Sequence, residues 1–209
     1  MSGDIISSQE ILVRNISKDD LDDVLAVEEA AWPEELHANR EKFESRLEMF
    51  PDGFFGIYVD GKLVGTLTSM LTNTEPSEEL TWAELTDNGY IKNHEPKGKW
   101  LYIVSLAVSK PGVGYGSQLL SRAIGFSKER GCVGVYLQAR PCEYDKYCSE
   151  KKEISIEEYL KITRKDGLSI DKEIRFYQNN GFIVVKPIEN GEMDKESRNY
   201  TVTMILLNN

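Results

Sequence analysis

Apolar positions along this chain follow two different periods, and the switches between them predict its elements. Runs rich in β-branched and aromatic residues predict strands, whereas apolar residues spaced three and four apart predict helices. In chain order the pattern gives one strand, two helices, three strands, a helix, a strand, a helix and two strands. This order predicts an α/β protein (α+β in the broad sense) with a mixed sheet in one domain.

The element boundaries follow from capping and turn residues. Strands are predicted at 11–16, 54–59, 62–71, 99–109, 133–138, 182–186 and 199–207, and helices at 21–31, 40–49, 116–130 and 171–179. Asp60-Gly61 between two strand-like runs favours a type I′ hairpin turn, because glycine tolerates a positive φ. Two long inserts, 72–99 and 139–170, interrupt one domain over 1–209. The second has a helix of its own, which a capping box at Ser155 to Glu158 begins.

The length and composition of the chain favour a soluble, cytoplasmic protein. The chain has 209 residues, of which 40% are hydrophobic and 29% are charged. No stretch approaches the roughly 20 apolar residues of a membrane span. The first eight residues lack a basic segment followed by an apolar one, so no secretory signal is expected.

Charge and cysteine content exclude some classes of function. The net charge of −10 opposes nonspecific binding to nucleic acid and mildly favours cationic substrates such as amines. Three cysteines give no disulfide framework. Cys142 and Cys148 have only His37 and His94 as imidazole partners, so we expect no metal site.

Three glycines form the strongest candidate binding motif. Gly112, Gly114 and Gly116 lie between a predicted buried strand and a predicted helix. A helix N-terminus presents unpaired N–H groups, and glycines let a phosphate approach them closely. The following residues match neither a P-loop nor a dinucleotide fingerprint. On the glycines alone, a tight turn without a ligand stays open.

Two ordered motifs resemble the GNAT acyltransferase superfamily. They are the stretch 105–116, which ends in the glycine turn, and the run 174–182, which contains Phe-Tyr-Gln-Asn-Asn-Gly-Phe. The resemblance implies a central mixed sheet of six to seven strands flanked by helices, with acetyl-CoA as cosubstrate and a small-molecule or protein amine as acceptor. Trp82, Arg140 and Asp171 are similar to the branch that occurs fused ahead of nitrilase-type carbon–nitrogen hydrolases.

The resemblance also assigns roles to residues. The coenzyme would be held by Leu106, Ala107, Val108, Gly112, Val113, Gly114, Tyr115, Gly116 and Ser117. A backbone amide of Leu106 to Val108 would bind the thioester oxygen, and Tyr177 would protonate the departing thiolate. Two departures stand out. Pro111 replaces the Arg or Gln that usually begins the motif, and the fourth strand lacks the glutamate that often serves as base.

The acceptor side is less defined. Glu84, Glu143 and Asp145 are candidates for taking the amine proton, and none is distinguished from a solvated surface carboxylate. Trp82, Tyr90 and Tyr144 would either line the acceptor pocket or pack the inserts down. His94 is expected to be a hydrogen-bonded loop residue and Cys142 unreactive, while Arg140 would contact substrate or form a salt bridge. A noncatalytic acyl-CoA sensor, a structural interaction domain and a homodimer all stay open.

Overall fold

A computed structural model describes residues 9–208 of the chain. Its seven strands are β1 (Ile11–Asn15), β2 (Phe54–Val59), β3 (Lys62–Thr72), β4 (Trp100–Val108), β5 (Gly134–Ala139), β6 (Ile183–Ile188) and β7 (Thr201–Leu207). Its seven α-helices are α1 (Leu21–Ala31), α2 (Arg40–Met49), α3 (Trp82–Thr86), α4 (Tyr115–Glu129), α5 (Tyr144–Glu150), α6 (Ile156–Leu160) and α7 (Lys172–Asn179).

All seven strands join one mixed sheet in the order β1-β2-β3-β4-β5-β7-β6. Only β4 and β5 pair in parallel, and the other neighbours are antiparallel. The predicted fold class is therefore confirmed. The β2–β3 hairpin turns at Asp60 and Gly61, whose φ angles of 50° and 79° are both positive, as a type I′ turn requires.

Helices cover both faces of the sheet. On one face, α1 and α2 bury Val24, Val27 and Phe43 against Phe54 and other strand residues. On the opposite face, α4 buries apolar residues spaced three and four apart, Leu119, Leu120, Ala123 and Phe126. The edge-to-face contact of Phe126 with Phe55, with ring centroids 5.6 Å apart, fixes α4 over the centre of the sheet.

The inserts contain more helix than the sequence predicts. The first insert holds α3, which a capping box begins: the Thr81 side chain accepts from the Glu84 amide while Glu84 accepts from the Thr81 amide. This Thr-x-x-Glu signal is present in the sequence, but a five-residue helix has almost no periodicity to support it. The second insert holds α5 as well as the predicted α6. Helix α5 follows its N-cap residue Glu143, whose side chain makes no capping hydrogen bond, so no local signal in the sequence predicts this helix.

Membrane spans and metal clusters are the two features that the sequence does not predict. Between residues 9 and 208, no helix is long and apolar enough to cross a membrane. The same residues contain no group of three or more His, Cys, Asp or Glu side chains arranged to hold a metal ion. The expectation that the first eight residues carry no secretory signal concerns residues outside those that the structure describes.

Candidate active site

The candidate site begins where the two central strands separate. Strands β4 and β5 pair from Trp100–Gly134 to Ile103–Leu137 and then diverge. Beyond that point β5 pairs only with β7 among the described strands, and the edge of β4 from Val104 onwards faces an opening. The Trp82 indole N–H donates to the Val104 carbonyl oxygen at 2.9 Å, so α3 closes one side of the opening.

A pocket of about 130 Å³ occupies this opening. One wall comes from α1, α2 and their connection, and the rest comes from the strands, α3, α7 and the β6–β7 connection. The lining residues are Glu28, Trp32, Glu35, Leu36, His37, Ala38, Lys42, Arg46, Trp82, Ile103, Val104, Ser105, Leu106, Leu137, Gln138, Arg140, Glu173, Tyr177 and Glu192. Leu106 and Tyr177, predicted from the sequence, thus face one pocket together with Trp82 and Arg140.

The glycine turn connects β4 to α4 and has an open surface. Gly112 and Gly114 have φ angles of +86° and +91°, and a Cβ atom added at either would meet no atom within 4 Å. Gly114 caps α4 without any side-chain hydrogen bond, so no side chain occupies the N–H groups of the first turn. An anion can therefore reach these amides, which the helix dipole also favours.

Glycine at position 116 joins the turn to α7. A Cβ atom there would lie 3.0 Å from Cζ of Phe176 and 3.8 Å from a methyl carbon of Leu106. Only a glycine lets α4 and the Phe176 ring approach this closely without a shift. The turn and the phenol of the next residue, Tyr177, consequently lie on the same side of the molecule.

Helix α7 places Tyr177 at the pocket. The Asp171 carboxylate caps the helix by accepting from the amides of Glu173 and Ile174. The Tyr177 ring packs edge-to-face against Phe176 and Phe182, with centroids 5.0 and 5.9 Å away. Burial, with the nearby carboxylate of Glu173 and then Cys142, raises the pKa of Tyr177. The phenol therefore keeps its proton at neutral pH.

Glu173 lies one helical turn before Tyr177 and also faces the pocket. Burial raises its pKa to about 7, against the opposing effect of the Arg140 charge. Its Oε1 accepts from the Arg140 amide at 3.0 Å. Glu192, from the β6–β7 connection, lies nearby, and burial raises its pKa too. A carboxylate that titrates near neutral pH inside a pocket is suited to accept a proton.

Arg140 holds the floor of the pocket together. Its Nε donates to Asp194 Oδ2 and its Nη2 to Glu196 Oε2, both at 3.0 Å. The arginine and Asp194 side chains are only 6% and 3% exposed. Its guanidinium also lies 5.5 Å from the centroid of the Trp32 ring. Of the two roles open from the sequence, the salt bridge is present, and the residue lines the pocket as well.

Arg46 is the most buried charged residue of the pocket, with 1% of its surface exposed. Its Nε donates to the Gly89 carbonyl oxygen at 2.8 Å, and its Nη1 to Ser105 Oγ at 3.2 Å and Thr68 Oγ1 at 3.4 Å. Burial lowers its pKa to about 10, so it is still charged at neutral pH.

Several sequence candidates lie away from the pocket. Ala107 is buried against α1 and α2, and Val108 packs on the other face. His94 accepts from the Leu71 amide and stacks on Phe50, as a loop histidine would. Burial raises the pKa of Cys142, which agrees with an unreactive thiol. Val113, Tyr115 and Ser117 belong to the turn and the first turn of α4, outside the pocket lining.

The candidate bases and two of the three candidate aromatic residues make structural contacts outside the pocket. Glu84 caps α3, Glu143 accepts from the Lys172 amide, and Asp145 pairs with Arg198. Tyr144 packs against Tyr159 in a separate cluster, and Tyr90 lies beside Lys42 and Lys92. Neither tyrosine lines the pocket.

Sequence reasoning missed Glu173 and Arg46. Glu173 precedes Tyr177 by four residues, which puts both on one helix face. Arg46 lies next to Leu47 and three residues after Phe43 on the buried face of α2. A charge on an apolar helix face is the signal that could have revealed it. Glu28, Trp32 and Glu192 come from distant segments that meet only in the folded chain.

Comparison with known proteins agrees with this geometry. A profile of the Acetyltransferase (GNAT) family matches residues 19–145. The chain belongs to this family. The predicted superfamily and enzyme class, a GNAT N-acetyltransferase, are thereby confirmed.

Two curated proteins of Bacillus subtilis (strain 168) are similar to this GNAT chain. The uncharacterized N-acetyltransferase YkwB is 30% identical over 201 residues, which cover 93% of the chain and 87% of YkwB. The probable hydrolase YhcX is 26% identical over 181 residues, 85% of the chain but only 34% of YhcX. The narrower likeness to nitrilase-fused domains stays a prediction.

Solved structures share the fold. The loading GNATL domain of CurA from Lyngbya majuscula superposes with a TM-score of 0.83 at 20% identity, covering 95% of this chain and 98% of that domain. The GphF GNAT-like decarboxylase, solved in complex with isobutyryl-CoA, gives 0.82 at 23% identity, covering 94% and 98%.

Proposed function

We propose that this protein transfers an acetyl group from acetyl-CoA to a primary amine by direct attack, with Tyr177 as general acid and Glu173 as general base. The observation that carries the proposal is the shared pocket in the sheet opening, where these two side chains lie one helical turn apart beside the glycine turn.

The glycine turn would hold the coenzyme. The amides around Gly112 to Ser117 would bind the diphosphate, since no side chain caps the helix there and the surface at Gly112 and Gly114 is open. The acyl arm would then run along the free edge of β4, where a backbone amide of Leu106 to Val108 would bind the thioester oxygen. Removing one preorganised oxyanion-hole donor from an acyl-transfer enzyme costs about 2.7–4 kcal/mol of transition-state stabilisation.

The chemistry needs two proton transfers. A neutral amine attacks the thioester carbon, the C–N bond forms, and the C–S bond breaks as the oxyanion collapses. Tyr177 gives its proton to the departing thiolate, and Glu173 accepts the proton that the amine nitrogen loses. The raised pKa of Tyr177 keeps the phenol protonated in the free protein but also makes it a weaker acid, so the transfer requires the thiolate to lie within hydrogen-bond distance of the phenol.

Pocket size and relatives support the acetyl donor. The volume of about 130 Å³ is below the roughly 300–1,000 Å³ of pockets that hold drug-sized ligands, which favours a short acyl group. YkwB is named an N-acetyltransferase, and GphF was solved with an acyl-CoA.

Release of free thiol from acetyl-CoA, measured with a panel of amines, tests the proposal. We expect thiol release that requires an amine and an acetylated amine by mass spectrometry. Conversion of malonyl-CoA to acetyl-CoA and CO₂ without any amine would instead favour decarboxylation, the reaction for which GphF is named.

A noncatalytic acyl-CoA sensor is the second candidate, and Pro111 favours it. Proline at the motif's Arg or Gln position offers neither a side-chain donor nor an N–H to a phosphate. A sensor would bind acetyl-CoA, as detected by a shift in melting temperature, yet never release thiol with any amine of the panel.

A further inference from the structure

The Arg46 guanidinium is held in place but not neutralised. Hydrogen bonds occupy its Nε and Nη1 atoms, whereas Nη2 donates to no acceptor among residues 9–208. Arg46 also forms no salt bridge with a carboxylate of those residues. A fully buried cation without an ion-pair partner is rare, because removing a charge from water costs roughly several kcal/mol.

The surroundings of Arg46 leave the positive charge available to a ligand. Lys42 lies one turn earlier on α2 and faces the same pocket. Glu28 is the carboxylate whose charge acts on Arg46. Glu28 accepts from the Ala38 amide at 2.9 Å and forms neither a hydrogen bond nor a salt bridge with Arg46 among residues 9–208.

The two faces of β4 separate the two substrates. Ser105, which contacts Arg46, and the neighbouring Ala107 point toward α1 and α2. Leu106 points the other way, toward Gly116 at the start of α4. In the proposed function the coenzyme lies on the α4 side, so a ligand of Arg46 approaches from the opposite side, as the acceptor must.

We propose that the acceptor carries a carboxylate beside its amine, as a small amino acid does, and that Arg46 Nη2 binds this carboxylate. The inference rests on the proposed acetyl transfer and names its substrate class. The amine of such a zwitterion would lie toward Glu173, and its carboxylate toward Arg46 and Lys42, within the one small pocket.

Matched amines test this with the wild-type chain. Alanine and alaninamide have nearly the same shape, but only alanine carries the negative charge. The amine of alaninamide is also the less basic, which works against the proposal. We expect kcat/KM for alanine to exceed that for alaninamide by about tenfold to about a hundredfold, the range of hydrogen bonds to charged groups. Equal values, or a preference for the amide, would overturn the inference.

Substitution of the arginine locates the effect. In Arg46→Gln the ratio of alanine to alaninamide should fall to within about threefold, and Arg46→Lys should retain part of it. The exposed Arg164→Gln variant is the matched control and should keep the wild-type ratio. If Arg46→Gln does not fold, propionate takes its place as a probe of the wild type. It should inhibit competitively against the amine, and inhibition competitive against acetyl-CoA alone would contradict the proposal.

A carboxylate on the acyl group of the donor, as in malonyl-CoA, is the alternative ligand for Arg46. If Arg46→Gln alters the ratio of malonyl-CoA to acetyl-CoA turnover and leaves the alanine-to-alaninamide ratio unchanged, the acceptor assignment is wrong. Calorimetric titration of alanine into the CoA-bound protein separates this inference from the proposed function. If alanine gives a binding heat with the wild type but not with Arg46→Gln, the carboxylate site is supported even if no acetyl transfer occurs. If alanine gives no binding heat with the wild type, the carboxylate site is contradicted.

Discussion

Tyr177 and Glu173 face the same pocket from one helix, and burial raises the pKa of both. The phenol stays protonated throughout the neutral range, while the carboxyl group changes state near pH 7. The carboxyl group is therefore suited to accept a proton near neutral pH, whereas the phenol is a weak acid that would donate only to a thiolate held against it.

Replacing Tyr177 with phenylalanine removes the phenol and keeps the ring that packs on Phe176 and Phe182. We expect kcat to fall by about a hundredfold to about ten-thousandfold, with the Kd for acetyl-CoA changed by less than about threefold. Steady-state kinetics and calorimetry measure the two quantities. Tyr147→Phe, outside the pocket, is the control, and an unchanged kcat in Tyr177→Phe would assign that residue to packing alone.

The Glu173 carboxyl group predicts a pH dependence of the rate. The base form is present above its pKa of about 7, so kcat/KM for acetyl-CoA, measured at a saturating concentration of neutral amine, should rise through that pH and then level. Glu173→Gln should lower kcat/KM by about a hundredfold or more at pH 8 and lose this limb. A pH–rate profile of both proteins decides it. A rise in the rate near pH 7 that persists in the variant would assign the pH dependence to another group.

The proposed function makes coenzyme binding depend on the turn between β4 and α4. Gly114→Ala forces a side chain into a φ of +91° and costs about 1–2 kcal/mol, and its methyl group enters the open surface. We expect the Kd for CoA to rise about tenfold or more. Gly125→Ala, in the middle of the same helix with free space around it, should instead stabilise the chain by about 0.5–1 kcal/mol. Equal CoA binding by both variants would contradict the role of the turn.

Elements with a strong local pattern could be predicted from the sequence, and side chains brought together by distant segments could not. Helix α2 falls at the predicted boundaries, and α4 begins one residue before its prediction, because periodicity and caps are local. Tyr177 was predicted from a motif on its own helix, although its catalytic role stays a prediction. The pairing of β4 with β5 over only four residues, which creates the pocket, depends on both strands and has no sequence signal.

At the scale of the whole molecule, Arg140 connects the end of β5 to the β6–β7 connection. Burial works against the Asp194 charge, but hydrogen bonds from Ser197 and the Arg140 charge outweigh it and lower its pKa. Asp194→Asn leaves the buried guanidinium with only the more exposed Glu196 as ion-pair partner and should cost about 3 kcal/mol, the lower end of the range for a broken buried pair. Urea unfolding measures it. The exposed pair of Arg122 and Glu129 is the control, since Glu129→Gln should change stability by less than about 1 kcal/mol.

Glu173 also links the stability of the molecule to pH. Its pKa is higher in the folded chain, about 7, than the ordinary 4.5, so the folded state holds the proton more tightly. Stability should therefore fall as pH rises from about 4.5 to about 7 and level above that range. Glu173→Gln should remove this fall. Urea midpoints compared at pH 5 and pH 8 test it, and an equal pH dependence in both proteins would contradict the assignment.

The contact between Gly116 and Phe176 has a mechanical consequence. It packs the helix that would receive the coenzyme against the helix that carries the phenol, so a side chain added at 116 would push against the Phe176 ring. A larger residue at 116 would therefore separate donor and acid together. Substrate affinity and turnover would deteriorate in step, although position 116 itself performs no chemistry.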